Sequence, residues 1–259
     1  MQSNKTLVPL LVAAAGFPGV IFGQPATDAP QDGAVYFLAG ATNEIVGLDT
    51  KLVVPDAPAP TGTLFLWPGL QPTPGHAHYM PIDNGVLQSV LSWGPSCAPG
   101  KQPSAYSTWW ISGQYVNTVG HYSGYTHCLG GRVMAVDVGD TLAIHFSLFK
   151  SLWTQTIIDL NKRQNVSFHM NLGDQAQAIA RFEIEAWDGA TPRGDVTFLE
   201  TTIAFALPDS SNCDVQPHGG DDYVAPPVVV DDGQSCYIDK IVLSSKINSR
   251  VSASRPPRP

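Results

Sequence analysis

Short runs of alternating apolar and polar residues, separated by Gly, Pro, Asn and Asp, follow one another through most of the chain. Alternation with a period of two is typical of strands that bury one face, and turn residues between such runs indicate hairpins. The clearest runs predict strands at residues 63–67, 86–93, 107–116, 132–138, 141–148, 153–160, 164–172, 180–187 and 197–205. Convincing helical periodicity is absent, although residues 175–180 are compatible with one helical turn. The pattern predicts an all-β fold, a double-sheet antiparallel β-sandwich of the jelly-roll kind.

Composition supports this fold class and narrows the partners. The 259 residues include 24 Gly and 22 Pro, and only 14% are charged, so a helix-rich protein is not expected. A hydrophobic content of 43% is sufficient for the core of one domain. The formal net charge of −8 is opposite to the positive surface that contacts a phosphate backbone, so we expect no nucleic-acid partner.

The two ends of the chain differ in composition from its middle. Residues 1–23 contain Lys5 followed by an apolar stretch that Pro and Gly interrupt, which is typical of a secretory signal peptide and not of a membrane span. Residues 246–259 are predicted to be a flexible basic tail, and residues 24–245 a single domain. The segments 54–60, 72–78 and 221–232 are predicted to be loops. We therefore expect a secreted protein without a membrane partner.

The cysteines and a glycosylation sequon agree with secretion. Four cysteines in an oxidising compartment are expected to pair, and sequence alone permits three connectivities. Local pairing, Cys97 with Cys128 and Cys213 with Cys236, is favoured because each bond closes a short loop. Asn165 begins an Asn-Val-Ser sequon, which predicts glycosylation at an exposed site.

The predicted strand at residues 180–187 has an unusually polar second face. Period-two alternation puts Arg181, Glu183, Glu185 and Trp187 on that face, opposite a purely apolar one. The simplest interpretation is a solvated outer surface, on which an ion pair contributes at most about 1 kcal/mol. Gln88 poses a related question, because it shares a predicted strand face with valines and a buried amide needs a partner or a ligand.

Segments of the chain, in the same order, resemble motifs of the fungal glutamic peptidases (eqolisins). These are residues 62–69, 85–88, 106–110, 138–142 and 180–185, similar respectively to the family's Trp-x-Gly strand, Ile-Leu-Gln strand, aromatic strand, Glu-Gly-Asp turn and Ala-Glu-Phe-x-x-Glu strand. The resemblance implies a double-sheet sandwich with a concave substrate groove. It also makes Gln88 the counterpart of the family's catalytic glutamine.

The main departure from the family is at its catalytic glutamate, where this chain has Arg181. A guanidinium stays protonated and has no acceptor, so it does not act as a general base. Gln88 and Arg181 are instead expected to bind or polarise a carbonyl of a small apolar metabolite. The groove walls are predicted to include Trp67, Trp109, Glu183 and Trp187.

Such a groove, without a base or cofactor, suits binding or the cyclisation of an already reactive substrate by confinement. Secreted fungal hetero-Diels–Alderases are similar in circumstance, being small and cofactor-free with signal peptides. One alternative is an acid peptidase that uses Gln88 with Glu183, which lies about 6.8 Å along the strand from Arg181. A register change of two residues would bring Glu183 into the place of the base.

A glycan-binding or glycan-cleaving jelly roll is the other alternative. Residues 183–188 are similar to the Glu-x-Asp-x-x-Glu strand of jelly-roll glycoside hydrolases, with Glu183 and Asp188 at the outer positions. His76 and His78 alternate in a Pro-Gly loop without an acidic neighbour, so we predict no metal site there. No cofactor is expected for any of these functions.

Overall fold

A computed structural model of the chain describes residues 31–40, 43–59, 61–72, 85–117, 127–173, 175–209, 213–215 and 221–246. Its strands are β1 (Gln31–Leu38), β2 (Ile45–Val53), β3 (Thr63–Gln71), β4 (Val86–Trp93), β5 (Trp109–Asn117), β6 (His127–Gly130), β7 (Met134–Val136), β8 (Thr141–Phe149), β9 (Leu152–Asp159), β10 (Gln164–Asn171), β11 (Ile179–Trp187), β12 (Val196–Phe205), β13 (Tyr223–Val224), β14 (Val228–Val230) and β15 (Ser235–Leu243). Within these ranges 3-10 conformation occurs in a short turn at Asp231–Gly233 and at Cys213.

The strands form two antiparallel sheets, as the alternating pattern predicts. The first sheet has the order β1-β11-β3-β4-β5-β6, and β7 also pairs with β5. The second has the order β10-β9-β8-β2-β12-β15-β13, and β14 also pairs with β15. The prediction of an all-β double-sheet sandwich is confirmed. We call the first sheet the site sheet and the second the back sheet.

Each run predicted to be a strand lies in one, but the pattern missed β1, β2, β6 and β13 to β15. The helical turn proposed at residues 175–180 is wrong, because Gln177 forms a β-bridge with Ile45 and β11 begins at Ile179. Residues 221–232 were predicted to be a loop, yet they contain β13, β14 and most of the 3-10 turn. Both β13 and β14 pair with β15. Local alternation did not predict them, because they form only through this pairing with another strand.

Apolar residues at alternate positions of both sheets form the main core between them. Phe182 of β11 packs edge to face against Phe37, with ring centroids 6.1 Å apart, and against Phe198 of the back sheet at 5.0 Å. Trp93 and Trp109 form a second edge-to-face pair at 5.5 Å. Aromatic pairs of this geometry stabilise a core beyond the area that they bury.

A buried polar bridge crosses this core and joins the back sheet to the site sheet. Gln155 of β9 is fully buried, and its Nε2 donates to the backbone oxygen of Gln114 at 2.8 Å. Its Oε1 accepts from Ser89 Oγ of β4 at 3.0 Å. A Cβ at Gly113 would lie 3.1 Å from that Oε1 and 2.9 Å from Phe168 Cβ, so a glycine is needed where Gln155 crosses. The bridge therefore connects β9 to the middle of β4 and of β5.

Two disulfides connect loops to strands. They join Cys97 to Cys128 of β6 and Cys213 to Cys236 of β15, so the predicted local pairing is confirmed. Asn165 is exposed on β10, and its glycosylation stays a prediction. The signal peptide predicted at residues 1–23 lies outside the described residues. So does all of the predicted tail, residues 246–259, except its first residue. In the described part of the chain, no helix is long and apolar enough to cross a membrane.

Lys162 holds together the turns before β8 and before β10. Its Nζ lies 2.6 Å from Asp140, 2.9 Å from Asp137 and 3.7 Å from Asp159. Asp159 is fully buried, and Asp140 nearly so. Burial alone raises the pKa of Asp140, but its hydrogen bond to Lys162 and other contacts outweigh this and lower it. The ammonium therefore compensates carboxylates that have little water to solvate them.

We expect Lys162→Met to lower the free energy of unfolding by about 2 kcal/mol, because buried carboxylates would lose their cation. Urea unfolding at neutral pH measures this. Lys101→Met is the control, since Lys101 is an exposed lysine. Equal stability of the two variants would contradict a structural role for Lys162.

Candidate functional site

The candidate site lies on the face of the site sheet that is turned away from the back sheet. Alternation along each strand separates this face from the core face. Trp67, Val86 and Val90 form a buried apolar cluster of their own on it, apart from the main core, with Phe65 packed against them. Sequence patterns did not predict that a second face of the same sheet would be buried.

Gln88 and Arg181 meet on this face across one strand. In the sheet register, Gly69 of β3 pairs with Arg181 of β11 on one side and with Gln88 of β4 on the other. Strands lie about 4.8 Å apart, so the two backbones are about 10 Å apart. The ring of Trp67 covers the glycine between them, since a Cβ at Gly69 would lie 3.0 Å from Trp67 Cε3. The two residues that were predicted to act together therefore share a strand face, on either side of this ring.

The side-chain amide of Gln88 forms no hydrogen bond with the described residues. Its side chain is 8% exposed, and it makes no side-chain hydrogen bond to the described part of the chain. The adjacent Ser89 points to the opposite face, where Gln155 binds its hydroxyl. The position of Gln88 on β4 is thus fixed from the core side, while its amide lies on the site face.

Arg181 is paired with Glu183 on the same strand face. Its Nε donates to Glu183 Oε2, and the two side chains are only 12% and 3% exposed. Burial raises the pKa of Glu183, and the charge and hydrogen bond of Arg181 partly oppose that rise. The interpretation of this face as a solvated outer surface is wrong, because both partners of the ion pair are almost completely removed from water.

Glu185 is held by two tryptophans. Trp187 Nε1 donates to Oε1 at 2.7 Å, and Trp67 Nε1 donates to Oε2 at 3.3 Å. Burial and then the charge of Glu183 raise the pKa of Glu185 to about 7, against the opposing effect of the two indole hydrogen bonds. The sequence placed Glu185 on the right face but gave no sign of this clamp, because Trp67 lies on another strand, more than a hundred residues earlier.

The aromatic walls differ from the prediction at one position. Trp67 and Trp187 lie on the site face, as expected. Trp109 does not line it: it packs against Trp93 in the core between the sheets. Trp110 occupies the site face instead, opposite Ser92, and its Nε1 donates to the oxygen of Gly94 at 3.1 Å. Two adjacent tryptophans on a strand point to opposite faces of the sheet. The sequence did not indicate which of the two rings lies on the site face.

The carboxylate pair proposed for a glycoside hydrolase is not assembled. Glu183 is buried on the site face, whereas Asp188 follows the end of β11 in a turn, with φ of 54° and an exposed side chain. His76 and His78 lie outside the described residues. In the described ranges, no three His, Cys, Asp or Glu side chains are grouped to hold a metal ion.

Comparison with known proteins supports the fold. No protein-family model matches the sequence, and no curated protein matches it. Among solved structures, scytalido-glutamic peptidase in complex with a peptide-based transition state analog is similar, with a TM-score of 0.50 and 13% identity over 80% of this chain and 97% of that chain. SCP-B, an eqolisin in complex with the tripeptide Ala-Ile-His, has a TM-score of 0.46 and 12% identity over 80% of this chain and 96% of that chain. The chain therefore has the glutamic-peptidase fold that its motifs predicted, and identities this low say nothing more.

We expect Arg181→Met to destabilise the protein by about 3 kcal/mol, because Glu183 would remain buried without its cation. The double variant Arg181→Met/Glu183→Gln should recover most of that loss, because no charge is then left uncompensated. Chemical denaturation of both variants tests this, with the exposed Arg193→Met as control. If the double variant is no more stable than the single one, the two charges are not coupled.

The stability of the protein should also depend on the protonation of Glu185. The folded state holds a proton up to a pKa of about 7, whereas an ordinary glutamate releases it near 4.5. Stability should therefore fall by about 3 kcal/mol as pH rises through this window, and level off above it.

Urea unfolding below, within and above this window measures the slope. Glu185→Gln should flatten it, while Glu200→Gln should leave it unchanged, because Glu200 is exposed. An identical slope in wild type and Glu185→Gln would show that another group titrates.

Proposed function

We propose that this chain is a secreted, non-proteolytic protein of glutamic-peptidase fold that binds a small apolar molecule carrying a carbonyl group. In this proposal Gln88 and Arg181 hold the carbonyl oxygen, and Trp67 and Trp187 flank the apolar body. The observation that carries the proposal is the pairing of Arg181 and Gln88 with Gly69, with Arg181 tied to Glu183. Its two disulfides are typical of proteins made in an oxidising compartment.

The protonation chemistry of this face argues against peptide hydrolysis. Activation of water needs an ionised carboxylate with a free lone pair in reach of the water. Glu183 is 2% exposed and bound to Arg181, and Glu185 accepts a hydrogen bond from an indole at each oxygen. Arg181 itself accepts no proton. Glu183 and Glu185 therefore already accept hydrogen bonds from protein groups, which leaves them poorly placed to activate water.

The charge balance of the face favours a neutral ligand. The positive charge of Arg181 is compensated by Glu183, and Glu185 has a pKa of about 7, so the cluster is close to neutral under mildly acidic conditions. An ionic ligand would disturb a buried balance, whereas an apolar molecule with one polar head costs little desolvation. Phe65, which is only partly buried where it packs against Val86 and Val90, supplies apolar surface for such a body.

A hetero-Diels–Alder cyclisation is the reaction that such a site supports best. An unsaturated carbonyl and an alkene form one C–O and one C–C bond while their π bonds rearrange, so no proton, electron or leaving group needs a protein acceptor. Hydrogen bonds to the carbonyl oxygen withdraw electron density from the heterodiene, and holding two reactants together lowers the entropic barrier. Neither contribution requires a base or a cofactor.

Incubation with an extract of metabolites from the producing strain, followed by mass spectrometry, tests the proposal. We expect one or a few neutral, apolar, carbonyl-bearing compounds to be retained or converted. Gln88→Met should lower their retention about tenfold, because a hydrogen bond to the carbonyl is lost. Gln102→Met is the control, since Gln102 binds the Ser96–Ala98 loop away from this face.

Two results would overturn the proposal. Cleavage of denatured protein at acidic pH, abolished by Glu183→Gln, would establish a peptidase that uses Gln88 and Glu183. Retention on a glycan array that depends on Trp110 or Trp187 would establish a carbohydrate-binding protein instead.

A further inference from the structure

Gln71 has a buried side-chain amide that forms no hydrogen bond with the described residues. Its exposed fraction is 0%, and neither its Nε2 nor its Oε1 has a partner in the described part of the chain. Its backbone is satisfied, since its carbonyl oxygen accepts from Ala178 N at 2.8 Å. Buried polar side chains in folded proteins are almost always paired, so an amide with both ends unpaired needs an explanation.

Buried glutamines elsewhere in the structure show the ordinary situation. Gln114, on the same face, donates from Nε2 to Ser112 Oγ at 3.0 Å. Gln155 uses both ends of its amide in the bridge through the core. Gln177 donates from Nε2 to the backbone oxygen of Gln175 at 3.1 Å. Gln71 differs from these three because both ends of its amide are unpaired, whereas Gln177 leaves only its Oε1 without a partner.

The position of Gln71 connects it to the proposed ligand site. It lies two residues after Gly69 on β3, and alternation therefore puts both residues on the site face. Gly69 pairs with Arg181 and Gln88, so Gln71 is the third hydrogen-bonding side chain around this glycine. Its cross-strand partner on β11 is the apolar Ile179, which offers the amide nothing to bind.

The donor and the acceptor of the Gln71 amide determine which ligand groups could form hydrogen bonds with it. It presents an N–H donor and a carbonyl acceptor side by side, so its complement is an acceptor and a donor on neighbouring atoms of a ligand. A simple ketone would occupy only the donor. A hydroxyl group next to a carbonyl would occupy both, its carbonyl oxygen taking the Nε2 proton and its hydroxyl donating to Oε1.

We infer that Gln71 is a specificity-determining residue that selects ligands with a hydroxyl group adjacent to the carbonyl. The inference rests on the proposed function, because it concerns the same ligand head. A site that hydrogen-bonds a ligand hydroxyl discriminates strongly against the analogue without it, since the buried acceptor is then left unpaired.

Tropolone and tropone are a matched pair of probes that differ only by this hydroxyl. We expect wild-type protein, in mildly acidic buffer that keeps the hydroxyl protonated, to bind tropolone about tenfold more tightly than tropone by calorimetry or ligand-observed NMR. Gln71→Met should remove this preference by weakening tropolone alone. It should not lower the melting temperature, because the native amide makes no bond that the substitution breaks.

Gln177→Met is the matched control, since it removes a buried amide that does have a partner. It should lower the melting temperature and leave the ratio of the two affinities unchanged. A Gln71→Met protein that loses stability like this control, or that keeps the preference for tropolone, overturns the inference.

The experiment separates this inference from the proposed function. Failure of both probes to bind, or binding that Gln88→Met leaves unchanged, removes the proposed function and the inference with it. Binding that requires Gln88 but shows no dependence on Gln71 removes the inference alone.

Discussion

The buried charges on β11 are the constraint on which the site depends. A guanidinium and two carboxylates occupy alternate positions of one strand face, where water is nearly absent. Charges in such a place must be paired or hydrogen-bonded, or the group shifts its protonation state. Arg181 and Glu183 satisfy each other, and two indoles hold Glu185. The tryptophans of the groove wall therefore have a polar role besides the apolar one.

This arrangement changes the chemistry that a glutamic-peptidase fold can carry out. A fold supplies a frame, while the residues in the site decide the reaction. Where the resemblance to the eqolisins predicts a catalytic glutamate, a cation stands and holds the next carboxylate on that face. On this face Arg181 donates to Glu183, and an indole donates to each oxygen of Glu185, so these carboxylates are already in use as acceptors. The carbonyl polarisation that we propose needs hydrogen-bond donors and no base, so it is compatible with such a set of groups.

Much of the fold, and part of the site, follows from local pattern. Alternation predicted β3 to β5 and β7 to β12, and parity alone put Arg181, Glu183, Glu185 and Trp187 on one face. The resemblance to the eqolisins put Gln88 and Arg181 in one groove, whereas their pairing with Gly69 came only from the strand register of the structure. The burial of that face, the core position of Trp109 and the clamp on Glu185 arise between strands that are far apart in sequence. No pattern within a single strand contains that information.

The Gln155 bridge has a consequence for how the site can adapt. By joining β9 to the Ser89 hydroxyl of β4 and to the backbone of β5, in the space that Gly113 leaves, it opposes sliding of one sheet over the other. The floor beneath Gln88 is then stiff, and adjustment to ligands of different shape is left to the side chains that rise from it. Divergence toward new ligands would proceed by exchanging those side chains, whereas any residue larger than glycine at position 113 would disturb the frame that supports them.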